Sequence, residues 1–164
     1  MRRSEPSSGE VSVEEAKVIR RALSASYRNA MVKSVAGIIE AGRILSDGKA
    51  RLAHGQFTDW VTVDLKLSKS RAVALRKAEM LMVVASHSVI ADSCHWHAFP
   101  PSLRTLYELT LLRPKSALLE RIADGTINSA TTREEAITLR TGRSQDAPAD
   151  LGFGLSLSRL ILRS

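Results

Sequence analysis

Cysteine, aromatic residues and long apolar runs are scarce in this chain of 164 residues. It has one cysteine, Cys94, so no disulfide can form within the chain, and we expect a cytoplasmic protein. The longest apolar stretch, Met80 to Ala85, is far shorter than the roughly 20 residues that cross a membrane. No apolar segment follows the arginines near the N-terminus, which argues against a secretory signal there.

Catalytic motifs are missing as well. The sequence has no G-x-S-x-G elbow, no Walker phosphate loop and no H-E-x-x-H pair. The carboxylate pairs Glu14-Glu15 and Glu134-Glu135 lie at predicted helix starts, where negative charge stabilises the helix dipole without any catalytic role. We therefore predict a protein that is not an enzyme and needs no cofactor.

A group of residues that can bind metal ions occurs around Cys94, with His95 and His97 beside it and His87 upstream. Zinc accepts sulfur and imidazole, but the C-x2-C and H-x3-H spacings of structural zinc sites are absent. Adjacent side chains such as those of Cys94 and His95 cannot easily point at one ion. We predict no metal site here.

What the chain does have is aliphatic and positively charged residues. Hydrophobic residues make up 44% of it but aromatic residues only 4%, a mixture that favours helices packed through aliphatic side chains. The formal net charge is +7, and the pI is about 10.1. Such an excess favours polyanionic partners, of which nucleic acid is the usual one and an anionic membrane surface the competitor.

Apolar periodicity predicts an all-α fold with a long N-terminal helix, a helix-turn-helix and a small C-terminal three-helix unit. Ser12 with Glu15 forms a predicted capping box, and helical spacing continues to about Leu52. So long a helix is expected to break, at Ser24–Tyr27 or at Asp47-Gly48. The predicted segments are a disordered leader (1–11), a helical domain (12–85) with the helix-turn-helix (57–84), a linker (86–101), a small helical unit (102–141) and a tail of unassigned structure (142–164).

The C-terminal unit is predicted from its capping residues. Ser102, Pro114 and Thr132 are expected to begin its helices, Thr132 forming a capping box with Glu135 and Gly125 ending the middle helix. In the linker that precedes it, Trp96 and Phe99 are expected to anchor the chain to the helices.

The central prediction concerns residues 55–84. Gly55 is predicted to end the preceding helix as a left-handed C-cap just after His54. The His54 side chain is expected to interact favourably with the C-terminal end of the helix dipole. Phe57 and Trp60 are predicted core residues, residues 65–67 a tight turn, and Ser68 the N-cap of a second helix reaching Ala85.

The second helix of this pair is predicted to bury Ala72, Leu75, Ala78 and Met82. Its C-terminal half, Met80 to Ala85, is apolar on all sides and is expected to be covered by other helices or by a second copy of the chain in a homodimer.

Between Leu65 and Ala78 every charged residue is positive. A basic helix after a short turn is typical of a DNA-binding helix-turn-helix, although an ordinary helical hairpin with a solvated basic face has the same pattern. The candidates for contacting base edges are Lys69, Ser70, Val73 and Lys77, with Ser68 at the cap. The candidates for contacting phosphates are Lys66, Arg71 and Arg76. A possible second contact consists of Arg133, Arg140 and Arg143, for which a solvated helix is the competing interpretation.

Two stretches resemble an uncharacterised helix-turn-helix domain family of bacteria, phages and plasmids. The first stretch carries Gly42, Arg43, Leu45, Lys49, Leu52, His54, Gly55, Phe57, Trp60 and Ser68. The second carries Pro100, Pro101, Ser102, Leu106, Tyr107, Glu108, Leu109, residues 122–128 and Thr132-Arg133. Three positions depart from the family pattern. Arg76 stands where a larger apolar residue is usual, Gly48 where alanine is usual, and Leu103 where tryptophan is usual. The resemblance, and a more distant one to the DNA-binding part of ParB-type partition proteins, implies a helical protein that binds DNA.

Two hypotheses follow. The first is a protein that binds double-stranded DNA, as a transcriptional regulator or as a replication or partition accessory, without any membrane association. The second is a helical protein–protein adaptor with no affinity for nucleic acid.

Overall fold

The computed structural model describes residues 11–30 and 33–142, and these residues are helical and contain no β-strand. None of their helices combines the length and the apolar character that crossing a bilayer demands. The α-helices are α1 (Val13–Asn29), α2 (Val35–Arg51), α3 (His54–Asp59), α4 (Arg71–Ser86), α5 (Leu103–Thr110), α6 (Lys115–Ala123) and α7 (Arg133–Thr141). A π-helical segment (Trp60–Asp64) continues α3, and a 3-10 helix (Ser93–Ala98) precedes α5.

The predicted N-terminal helix is two helices, and both predicted break points are wrong. The Ser12 hydroxyl caps α1 by accepting a hydrogen bond from the Glu15 N–H, which is one half of the predicted capping box. The helix runs through Ser24–Tyr27 to Asn29, and Ser34 caps the start of α2. The second helix in turn continues through Asp47-Gly48. The cost of Gly48 in a helix is offset by packing, because this glycine lies against Trp60.

Close packing of α2 on α4 forms the centre of the fold. A Cβ atom at Gly42 would collide with the carbonyl oxygen of Leu81 and with the Ala85 methyl group. Ile38, Ile39 and Leu45 of α2 are fully buried at this crossing, as is Leu81 of α4. Glycine at position 42 therefore sets how near the two helix axes approach.

Two predicted roles in α3 are wrong. Gly55 does not end a helix: α2 finishes at Arg51, and Gly55 lies in the first turn of α3 without a positive φ. His54 likewise begins α3, and its carbonyl accepts a hydrogen bond from the Thr58 hydroxyl. The predicted core role of Phe57 and Trp60 is confirmed, because both are buried and their rings meet edge to face with centroids 5.9 Å apart.

The start of α4 also differs from the prediction. Ser68 is not its N-cap, since α4 begins at Arg71 after Ser70. The Ser68 hydroxyl instead accepts a hydrogen bond from the Ser70 N–H at 3.4 Å, which forms a turn outside the helix. Lys66 adopts a left-handed φ of 49°, so the chain cannot continue helically from Asp64 into α4.

The buried face of α4 is shifted from the predicted one. Ala78 is buried as predicted, but Ala72 is exposed and Leu75 and Met82 are only half-buried; Ala74 and Val84 lie inside instead. In the predicted apolar half, Leu81, Val84 and Ala85 are buried within the chain itself. For these three residues the first of the two predicted alternatives holds, because other helices of the chain cover them, whereas Met80, Met82 and Val83 are half-buried.

The segment predicted as a linker is packed rather than extended. Ile90 and Phe99 are buried in the core, and the Trp96 indole N–H donates to the Ile90 carbonyl at 3.1 Å. Beyond it, α5 packs against both α4 and α7. The C-terminal helices begin where their caps predicted: Ser102 caps α5, Pro114 precedes α6, and Thr132 forms a reciprocal capping box with Glu135.

Candidate nucleic-acid interface

The predicted DNA-binding residues lie on the connection before α4 and on its first two turns. Their side chains are exposed at Lys66, Lys69, Ser70, Arg71, Val73 and Arg76, and half-buried at Ser68 and Lys77. Val73, in the first turn of α4, is 54% exposed. The N-terminal half of α4 thus faces outward while its C-terminal half is held in the core.

A groove of about 710 Å³ runs between α4 and α5. Four of the predicted residues, Ser68, Val73, Arg76 and Lys77, line one wall. On the opposite wall the polar side chains are those of Ser102, Arg104, Tyr107, Glu108 and Arg133. One carboxylate therefore shares this groove with four cations, which leaves it positively charged.

The cations at the start of α4 form a group without carboxylate partners among the described residues. Some arginines elsewhere form ion pairs, such as Arg51 with Asp47 at 3.1 Å. Within the described ranges 11–30 and 33–142, no carboxylate lies within 4.0 Å of the basic groups of the cations around the start of α4. Those cations are Lys66, Lys69, Arg71, Arg76 and Lys77, and we call them the basic face.

Glu108 holds the arginines of the predicted second contact. Its carboxylate is buried, with Oε1 accepting a hydrogen bond from Arg133 at 3.3 Å and Oε2 lying 3.4 Å from Nε of Arg140. The Arg140 contact is an ion pair without hydrogen-bond alignment. Arg133 is therefore paired rather than simply solvated, and the charge that Arg133 and Arg140 offer to a polyanion is partly neutralised. Arg143 lies outside the described residues.

Around Cys94 the side chains take part in local turn structure. The Asp92 carboxylate accepts a hydrogen bond from the Cys94 N–H, which lowers the Asp92 pKa. A hydrogen bond from the Cys94 thiol to the same carboxylate, together with its negative charge, raises the pKa of the thiol. In the part of the chain that the structure describes, no three side chains of the metal-binding types come together. His87 lies apart from this turn, and burial, together with Lys115 and Arg113, lowers its pKa.

Sequence reasoning missed two features of the surface. The groove wall contributed by α5 was not predicted, because the pairing of Glu108 with Arg133 joins residues far apart in the chain. Cations on α1 were also overlooked. Arg20 and Arg21 follow Lys17 by three and four residues, and Arg28 follows Arg21 by seven, so the sequence already places them on one helix face.

Comparisons of the chain with protein-family models, with curated proteins and with solved structures found no match.

Proposed function

We propose that this chain binds double-stranded DNA through the basic face, without catalysing a reaction. In this proposal α4 presents its exposed N-terminal half to the major groove. Lys69, Ser70, Val73 and Lys77 contact base edges, and Lys66, Arg71 and Arg76 contact phosphates. A regulator or a replication or partition accessory of a bacterium, plasmid or phage is the role that this mode of binding suits.

The observation that carries the proposal is the concentration, on the basic face, of five cations without carboxylate partners in the part of the chain that the structure describes. A surface cation that forms an ion pair has part of its field cancelled, whereas an unpaired one is available to neutralise phosphate and release condensed counterions. Five such cations lie between Lys66 and Lys77. The nearest carboxylate before them in the chain, Asp64, forms an ion pair with Arg20 at 2.7 Å. The local field is therefore strongly positive.

The packing of α4 supports the same proposal. Its C-terminal half is fixed against α2 and α5, so the exposed N-terminal half is held in a set orientation. Lys66, which opens the connection, has a left-handed φ that is uncommon for a residue with a side chain. Backbone conformations of this kind cluster at binding sites, where the surrounding fold maintains them.

The experiment is a fluorescence anisotropy titration of the full chain with a random-sequence duplex at about 50 and about 200 mM salt. Neutralising roughly five phosphates is expected to weaken binding by a hundredfold or more over this interval, because each contact contributes about 0.9 to the salt slope. No binding at the lower salt would refute the proposal.

A protein–protein adaptor is the second candidate, and one observation favours it. Besides its cations, the groove between α4 and α5 is lined by Leu67, Val73, Met80 and Leu103. An apolar strip beside charged groups also suits an amphipathic acidic helix. In the same titration this candidate gives no affinity for duplex DNA.

A further inference from the structure

A second positively charged cleft lies on α1 and shares no lining residue with the basic face. It has a volume of about 550 Å³, and its lining side chains are those of Lys17, Arg20, Arg21, Ser24, Arg28 and Asp64. Four of these six are cations and one is a carboxylate. We call it the α1 cleft.

The cations of the α1 cleft fall into two classes. Arg20 pairs with Asp64 at 2.7 Å, and Lys17 pairs with Glu14 at the same distance. Arg21 and Arg28 are exposed, and among residues 11–30 and 33–142 no carboxylate lies within 4.0 Å of either guanidinium group. The cleft therefore keeps two uncompensated charges at its rim, while its single carboxylate is already neutralised by Arg20.

Two contacts fix this cleft relative to the connection that carries the basic face. The buried Trp60 indole N–H donates to the Ser24 hydroxyl at 2.9 Å. The Arg20–Asp64 pair is partly buried and joins the same two segments. Because both contacts end on the π-helical segment immediately before Leu65, α1 and the start of the basic face are held together.

The α1 cleft and the groove between α4 and α5 also lie close to each other. Asp64 lines the cleft and Leu67 lines the groove. Residues three apart are separated by at most about 11 Å even in a fully extended chain. A polyanion that crosses the connection therefore meets both sites within a few phosphates, since duplex DNA carries about one charge per 1.7 Å of its axis.

We infer that the α1 cleft is a second phosphate-binding surface for the same duplex, with Arg21 and Arg28 contacting the sugar–phosphate backbone beside the major groove that α4 occupies. This inference rests on the proposed function. Arginine suits the role because its planar guanidinium group can donate two hydrogen bonds to one phosphate. Such contacts fix the orientation of the protein on the duplex and carry no sequence information.

The test compares the wild-type chain with three double variants in duplex titrations across a range of salt concentrations. R21A/R28A removes the two unpaired charges of the cleft, and R21K/R28K keeps the charge. The matched control, K49A/K115A, removes two exposed cations of α2 and α6 that also lack a carboxylate within 4.0 Å in the described residues and that line neither site.

For R21A/R28A we expect roughly tenfold or greater loss of affinity at about 100 mM salt and a salt slope shallower by about 2. R21K/R28K keeps the charge but loses the paired donors, so it should keep the wild-type salt slope and lose less affinity than R21A/R28A, whereas K49A/K115A should lose less than threefold. Equal losses in R21A/R28A and K49A/K115A would overturn the inference, since only total charge would then matter. An unchanged R21A/R28A would overturn it while leaving the proposed function intact, whereas a wild-type chain that does not bind duplex DNA would overturn both.

Discussion

The six-membered ring of Trp60 lies against Gly48, at the place where any other residue would carry its Cβ atom. This contact explains why a helix-disfavouring residue lies in the last turns of α2, and it determines how deeply the indole enters the core. The same indole reaches Ser24 on α1, so one side chain joins α1, α2 and the segment leading to the basic face.

Gly48→Ala should destabilise the fold, although alanine is the better helix former by about 1 kcal/mol. The added methyl group must displace a ring that is fully buried, and overpacking of this kind costs about 1–3 kcal/mol. Gly55→Ala is the control, because nothing lies within 4 Å of a Cβ there. Urea denaturation of both variants measures the difference, and a G48A protein as stable as G55A would contradict the packing described.

Ser24→Ala should cost about 1–3 kcal/mol of unfolding free energy, because it leaves the buried Trp60 N–H without its acceptor. Ser26→Ala, on the same helix, removes an exposed hydroxyl that donates to the Ala22 carbonyl and should change stability by less than about 0.5 kcal/mol. A double-mutant cycle with Trp60→Phe then isolates the hydrogen bond. A coupling energy near zero would show that this bond does not hold α1.

Glu108→Gln should act in opposite directions on stability and on binding. It removes the ion pairs with Arg133 and Arg140 and destabilises the fold by about 1–2 kcal/mol, a moderate loss because both arginines remain within reach of water. It also removes the one carboxylate that lines the groove between α4 and α5, so affinity for duplex DNA should rise severalfold.

Glu134→Gln is the matched control for this variant, because it makes the same charge change on the exposed side of α7, where no ion pair involves Glu134 within the described residues. Denaturation and titration of both variants give the two effects separately. Weaker binding by E108Q than by E134Q would show that the Glu108 carboxylate does not oppose the duplex.

Protonation of His87 should make the fold less stable in mild acid. Burial is the main cause of its lowered pKa, followed by the charges of Lys115 and Arg113. Between the folded pKa and the unfolded value of about 6.5, the unfolded chain binds more protons. The stability contributed by neutral His87 is therefore complete above about pH 6.5 and is lost as pH falls through the folded pKa.

Thermal melts between about pH 7.5 and 5 measure this effect. The melting temperature of the wild type should fall as pH is lowered. His87→Phe cannot take up a proton, so this fall should be smaller in that variant. His54→Gln alters an exposed histidine and should show the same fall as wild type. Identical pH profiles for the wild type and H87F would contradict the assignment.

The parts of the fold that could be predicted from the sequence depend on neighbours in the chain. The caps of Ser102 and Thr132 are such cases, because each satisfies N–H groups within three residues. The continuity of α2 through Gly48 could not be predicted in this way, because it depends on Trp60 packing against Gly48 from another segment. The start of α4 was misjudged because Ser68 and Ser70 are both plausible caps and Lys66 adopts a left-handed conformation that its residue type does not indicate.

The positive charge of the candidate site could be predicted from the sequence, but the ion pairs between its arginines and carboxylates could not. The run of cations from Lys66 to Lys77 is visible in the sequence, and the structure places it at the surface. Which arginines lack a carboxylate partner is decided by tertiary contacts, such as Glu108 with Arg133 and Arg20 with Asp64. The shape of the groove depends equally on where α5 packs against α4.

The most direct test of the proposed function is the salt dependence of duplex binding in K69A/K77A beside wild type and K49A/K115A. We predict that K69A/K77A lowers affinity at least tenfold at about 100 mM salt and makes the salt slope shallower by about 2, while K49A/K115A retains a slope close to that of wild type. Equal slopes in the two double variants, or wild-type binding that does not depend on salt, would contradict the assignment of the basic face as the DNA-binding surface.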